Sequence, residues 1–220
     1  MRTPYIPGLI FAAAIILTSS YLRADEQGKA LLRECVAATR HVQSMQAEYT
    51  LDGKLNGQPV HKQGKFSARK GNLVHDECRS PKYGTNVVVN SDGVRLTYYS
   101  SADKTYSIEK VNKNNIIVNV GTQELKVFLQ PDLLEQAGEL DEPTIGKSVV
   151  IDGVACRSLV FAAGDYVTKY FIGPDGLVRG SMSKLGDIIG ESRLKNLKVN
   201  PTLLKEVFSW KPPKDAKRTE

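Results

Sequence analysis

The sequence predicts a single α+β domain: a long antiparallel sheet with helices against its apolar face. Three observations predict this class. An amphipathic helical segment spans Asp25 to Ser44. Period-two alternation follows from Met45 to Tyr106, broken by short turn-forming segments. A second set of strands, residues 147–210, begins only after a helical stretch at Thr122 to Gly138. Strand runs separated by helices, with no βαβ alternation, define α+β.

Each element follows from its residues. In the first helix Leu31, Cys35, Ala38, Val42 and Met45 recur at four and three spacings. Leu32, Val36 and the methyl of Thr39 widen that stripe. Asp25 and Glu26 sit near its start, where the helix dipole favours acids. Ala47, Tyr49 and Leu51 alternate with polar neighbours as a half-buried strand, and residues 53–57 can turn. Further strands are expected at Gly64–Arg69, Asn72–Arg79, Thr85–Asn90, Val94–Tyr98 and Thr105–Val111. Ser91-Asp92-Gly93 and Ala102-Asp103-Lys104 supply turns. Ile116 to Val120 reads equally as a short strand or a helix entry. Leu125, Phe128 and Leu129 form a helix that Pro131 interrupts, and Leu133, Leu134 and Ala137 continue in a second one. Hairpins follow around Asp152-Gly153, Ala162–Asp165 and Pro174-Asp175-Gly176, then a strand at Glu191–Val199. Pro212-Pro213 cannot continue a ladder, and Lys214 to Glu220 reads as a charged, flexible tail.

Residues 1–24 have the pattern of a cleavable export signal. Arg2 precedes the unbroken apolar run Gly8–Leu17, Thr18-Ser19-Ser20 ends it, and Ala24 is small. The run falls short of the ~20 residues that span a bilayer. No cysteine follows it closely enough for a bacterial lipoprotein anchor. The domain then occupies residues 25–213. Of the 220 residues 41% are hydrophobic and 25% charged, ordinary for a globular protein. The formal charge of +6 becomes +4 without Arg2 and Arg23, a mild surplus that allows transient contact with an anionic membrane surface. Cys35, Cys78 and Cys156 are an odd number, so at least one thiol stays free. Cys78 and Cys156 pair only if their strands are neighbours.

Catalytic chemistry finds little support. No G-x-S-x-G elbow, H-E-x-x-H or Gly-rich phosphate loop occurs. The densest cluster, His75-Asp76-Glu77-Cys78, lies on a strand, so His75 and Glu77 face one way and Asp76 and Cys78 the other. Metal ligands must converge, and these do not. The expectation is a non-enzyme with no metal and no cofactor. Nucleic acid is not expected either, because Tyr98 shares the apolar face of Leu96.

The order of motifs resembles the periplasmic outer-membrane lipoprotein carrier (LolA-like) family. The resemblance rests on a helix and strand, then Gly64-Lys65-Phe66, Lys70-Gly71-Asn72-Leu73 and Asn90–Tyr99. Tyr170–Gly176 looks like the family's late hairpin, and Phe208–Pro213 like its F-x-aromatic-x-P-P ending. Gly153–Leu159 is similar to a G-x-x-C-x-x-L strand of uncharacterised relatives. It covers most of residues 29–218. The resemblance implies a strongly curved half-barrel plugged by the helices around residues 122–138, in a monomeric periplasmic protein. It implies a carrier that shields acyl chains of a lipid or lipoprotein and meets inner- and outer-membrane handover proteins. A removable cover over an apolar hollow suits such cargo, since acyl chains gain roughly 0.8 kcal/mol per buried CH₂. Candidate liners are Tyr49, Leu51, Phe66, Val74, Val89, Leu96, Tyr98, Phe128, Tyr170, Met182 and Trp210. Lys70 stands where the family has an arginine that holds the cover, and is the candidate gate; lysine keeps the charge without the planar fork. The alternative on the same fold is an envelope-stress sensor or regulatory protein-binding module.

Overall fold

The computed structural model describes residues 26–219, so the expected export segment lies outside the described residues. Helix α1 (residues 26–41) leads into β1 (Ser44–Leu55). A meander continues through β2 (Gln58–Arg69), β3 (Leu73–Ser80), β4 (Thr85–Asp92), β5 (Arg95–Ser100) and β6 (Thr105–Lys110). Three short helices follow: α2 (Lys113–Asn119), α3 (Gln123–Leu129) and α4 (Asp132–Leu140). A second meander comprises β7 (Thr144–Ile151), β8 (Val154–Ala163), β9 (Tyr166–Ile172), β10 (Val178–Leu185) and β11 (Ile188–Val199). A 3-10 turn (Lys205–Phe208) and the two-residue β12 (Lys217–Arg218) end the chain.

All strands join one 12-stranded sheet in the order β12-β6-β5-β4-β3-β2-β1-β11-β10-β9-β8-β7. β1 pairs with β11 and so joins the two meanders. Every pairing is antiparallel except β12 on β6. The sheet does not close, and β7 and β12 are its edges.

The turns follow their chemistry. Asn56 and Gly57 both have positive φ, 51° and 76°, the geometry of a tight primed hairpin turn. The first turn is therefore confined to two residues, and Gly53 stays within β1. The ambiguous segment before Val120 is helical. Asn112 and Asn115 cap α2 reciprocally: Asn115 N donates to Asn112 Oδ1 at 2.9 Å, and Asn112 N to Asn115 Oδ1 at 3.0 Å. Thr122 caps α3 through its hydroxyl, which accepts from Leu125 N at 3.3 Å.

The helices cover one face of the sheet. From α1, Leu31, Leu32, Cys35, Val36 and Thr39 are buried as their spacing predicts. Met45 belongs to β1 instead, because the helix ends at residue 41. Buried side chains of this type contribute roughly 1.5–3 kcal/mol each. They form two clusters. One packs α2 and α3 against β1 to β5, and the other packs α1, α3 and α4 against β8 to β10. Arg40 of α1 bridges Asp132 and Glu135 of α4, at 2.9 and 2.6 Å.

The segment after the second meander packs on the outer face of the sheet. Phe208 is buried, and its carbonyl accepts from Asn90 Nδ2 of β4 at 3.0 Å. Beyond it, Lys104 and Asp215 form an ion pair at 3.0 Å and β12 adds to β6. The segment from 205 to 218 thus straps the face opposite the helices.

Candidate ligand face and its cover

Strand alternation builds the helix-covered, inner face. The cross-strand row Ala47–Phe66–Asp76–Val89–Tyr98 runs over β1 to β5. Tyr49, Phe66, Val74, Val89, Leu96 and Phe128 are all buried in the first cluster. Tyr98 and Cys78 are half-buried at its margin. Tyr170 packs against the second cluster. Leu51 lies beside a small polar recess of about 140 Å³, next to Thr122, Lys126, Ser181 and Ser192. The inner face is therefore packed where the helices sit on it and half-open at the strand ends.

Two expected liners lie elsewhere. Met182 points to the outer face, where it packs with Ile151, Cys156 and Phe171 in a small third cluster. The register shift between Val178 and Gly180 changes which β10 residues face inward, so Ser181 rather than Met182 meets Tyr170 within the fold. Trp210 is also outside. It packs on Tyr99 at 5.7 Å between ring centroids, and Tyr99 faces away from its neighbour Tyr98. The expectation that Trp210 lines the hollow fails because the segment around Phe208 runs across the outer face.

Lys70 touches the cover. Its Nζ donates to the carbonyl of Phe128 near the C-terminal end of α3, at 2.8 Å, and lies 4.8 Å from the Phe128 ring centroid. A cation at a helix C-terminus is favoured by the dipole and by the carbonyls left without helical donors. Partial burial lowers its pKa, and Asp132 opposes that shift.

Two buried carboxyls meet the break between α2 and α3. Asp76 Oδ1 accepts from Tyr49 Oη at 2.9 Å, and Oδ2 from Gly121 N at 2.8 Å. Burial pushes Asp76 above the usual carboxylate range, against these hydrogen bonds. Glu124, 1% exposed, accepts from Ser192 Oγ at 2.6 Å through Oε1, while Oε2 has no hydrogen-bond partner. Burial raises its pKa too. Neither carboxyl has an ion-pair partner among the described residues. Asp76 was legible, because alternation puts it on the face of Val74 and Cys78. Glu124 was not assigned, although its four-residue spacing from Phe128 places it on the apolar stripe.

The outer face carries a groove of about 750 Å³ between the strap and β1 to β5. Its walls include Glu48, Lys65, Glu77, Arg79, Tyr99 and Trp210. His75 faces the same way, with Nε2 3.0 Å from Glu77 Oε1, while Cys78 faces inward. The two groups that could have made a thiol–imidazole pair do not converge. Cys35, Cys78 and Cys156 are free, and burial pushes the Cys35 thiol up to about 12, which makes it unreactive. Among the described residues no three metal-type ligands converge.

No protein-family model matches the chain, and no curated protein matches it. Solved structures do. An uncharacterized conserved protein from Thermus thermophilus is 12% identical over 88% of this chain and 98% of its own, with a TM-score of 0.54. The Mycobacterium tuberculosis lipoprotein LppX is 15% identical over 82% and 99%, with a TM-score of 0.51. A LolA superfamily protein from Nitrosomonas europaea, NE2245, is 8% identical over 83% and 97%, with a TM-score of 0.42. The fold is α+β, a curved, unclosed antiparallel sheet with helices on its inner face, and it is shared with the Thermus protein and with LppX.

Proposed function

We propose that this chain is an exported, non-enzymatic binding protein that shields acyl chains of a lipid or lipoprotein between the inner face and the α2–α4 cover. The observation that carries the reading is the mode of attachment of that cover. Its three helices are only 7, 7 and 9 residues long. Helices of that length have little stability of their own, so packing and ties to the sheet hold them in place. Polar ties reinforce that packing: Lys70 to the Phe128 carbonyl, Gly121 to Asp76, Ser192 to Glu124, Asn115 of α2 to the Lys110 carbonyl of β6, and Arg40 of α1 to Asp132 and Glu135 of α4. Displacing the cover would present Phe66, Val74, Val89 and Leu96 as one apolar surface. The half-buried Tyr98 and Cys78 mark the side from which a chain would enter. The apolar run in residues 8–17 supports export, and the resemblance to the carrier family points to a periplasm. Handover between membranes and transient contact with an anionic surface follow from the carrier reading. Titration with a fluorescent C16 fatty acid tests it. Saturable uptake of about one probe per chain is expected, and Lys70→Met should speed uptake several-fold. No uptake by either protein would reject acyl binding.

A second reading, a regulatory module that binds a protein partner, is favoured by one observation. The inner face is filled in this state, whereas the outer groove of about 750 Å³ is open. Its aromatic pair Tyr99 and Trp210 and its charged walls suit a polar segment of a partner. Trp210→Ala would weaken such binding and leave fatty-acid uptake unchanged.

A further inference from the structure

The cover breaks at Val120–Thr122, between α2 and α3, and this break sits on buried acid. Gly121 is held there by close approach. A Cβ on Gly121 would lie 2.8 Å from Tyr49 Oη and 3.3 Å from Asp76 Oδ2. Its amide donates to Asp76, which Tyr49 also engages. Three residues on, Glu124 reaches the other half of the sheet. There Ser192 donates to it, and Ser181 Oγ lies 3.0 Å from Ser192 Oγ. The two carboxyls therefore fasten the same break to β3 on one side and β11 on the other.

The groups around each acid are few. Asp76 faces Tyr49 on β1 and Cys78 on its own strand; its row neighbours Phe66 and Val89 are apolar. His75 and Glu77 flank it but point to the outer face. The α2–α3 break offers it only a backbone amide. Glu124 faces the hydroxyls of Ser192, Ser181 and Thr122 and the phenol of Tyr170 on β9. Lys126 on its own helix is half-buried and forms no ion pair with it. Tyr49 and Tyr170 are themselves pushed up by burial, so both phenols stay neutral through the physiological range.

We propose that Asp76 and Glu124 make the α2–α3 break a proton-governed hinge, seated when the carboxyls are neutral and released when they ionise. An anion buried this deeply has no ion-pair partner among the described residues, and lifting the break hydrates it at least cost. Glu124 is the sharper instance, because its Oε2 accepts no hydrogen bond among the described residues. Since the seated state binds these protons more tightly than a hydrated, lifted state, raising the pH moves the population toward the lifted state. The inference rests on reading α2–α3 as a movable cover and adds what controls it.

Hydrogen exchange followed by mass spectrometry on the lipid-free protein tests this, read on the peptide spanning residues 119–125 at pH 5 and pH 8. After correction for the intrinsic chemical rate, its protection should fall at least about tenfold between those pH values, the effect of one unit of differential proton affinity. A β2 peptide, residues 60–66, should not change. In the Asp76→Asn, Glu124→Gln double variant the fall should shrink below about twofold. Tyr49→Phe provides a second handle if the double variant does not fold. It removes a hydrogen bond that stabilises the Asp76 anion, so the midpoint of the fall should move to higher pH. Protection that is flat or rises with pH, or a Tyr49→Phe midpoint that stays or drops, overturns the hinge. Because no lipid is present, a failure of fatty-acid uptake leaves this result standing, and a flat exchange profile leaves acyl binding untouched.

Discussion

At the scale of single residues, the informative positions are polar ones in apolar company. Asp76 replaces a hydrophobe in the inner row of β3, and Glu124 replaces one on the α3 stripe. A carboxyl whose pKa is raised on folding adds stability that is fully present below its unfolded value, about 3.9 for Asp and 4.3 for Glu. That contribution is lost as the pH climbs through the raised native value. The protein should therefore unfold at lower urea concentration at pH 8 than at pH 5. Asp76→Asn keeps an acceptor for Gly121 and cannot ionise, so its urea midpoint should exceed the wild-type value at pH 8 and match it at pH 4. A wild-type midpoint that rises from pH 5 to pH 8 would contradict the assignment of buried neutral acids. Gly121→Ala should be destabilising by about 1–3 kcal/mol, because the added methyl meets Tyr49 and Asp76 and forces one of them to move. Thermal melts would show it as a lowered midpoint. The placement of Asp76 could be read from alternation alone. The side on which Trp210 and Met182 fall could not, since one depends on the path of an irregular segment and the other on a register shift.

Elements behave according to how they are anchored. Most strands and α1 were legible, because alternation and the Leu31–Cys35–Val42 stripe express burial directly. Helix α2 was ambiguous by apolar content, and the reciprocal Asn112–Asn115 cap decides it. The strap was the least legible element. Its sequence shows a closing Phe208-x-Trp210 but not which face it covers, and the burial of Phe208 against β3 and β4 holds it on the outer face. Phe208→Ala should accordingly cost about 3–5 kcal/mol in urea unfolding. Deleting residues 214–220 should change the midpoint little, since β12 contributes only two exposed residues to the ladder. The reverse ranking would mean that the terminal strand rather than Phe208 holds the strap. Lys70 is an element-level tie of a different kind. Lys70→Met preserves the apolar stem and removes the bond to the Phe128 carbonyl, so uptake should accelerate while thermal stability shifts only slightly.

For the whole molecule, the decisive fact is topological. β1 and β11 lie far apart in sequence, and their pairing turns two meanders into one curved sheet with a shared inner face. Periodicity cannot reveal such a pairing, because it reports which side of a strand is buried and not which strand lies beside it. The resemblance to a family implies one strongly curved sheet under helices, which the structure has, but not which strands join its halves. The carrier reading turns on what the inner face receives. It is tested most directly by a photoreactive C16 fatty acid cross-linked to the lipid-free protein, with the labelled peptides located by mass spectrometry. Label is expected on inner-face residues near the half-open margin, such as Leu51, Cys78 and Tyr98. Label confined to Tyr99, Trp210 and the outer groove, or no label at all, would contradict it.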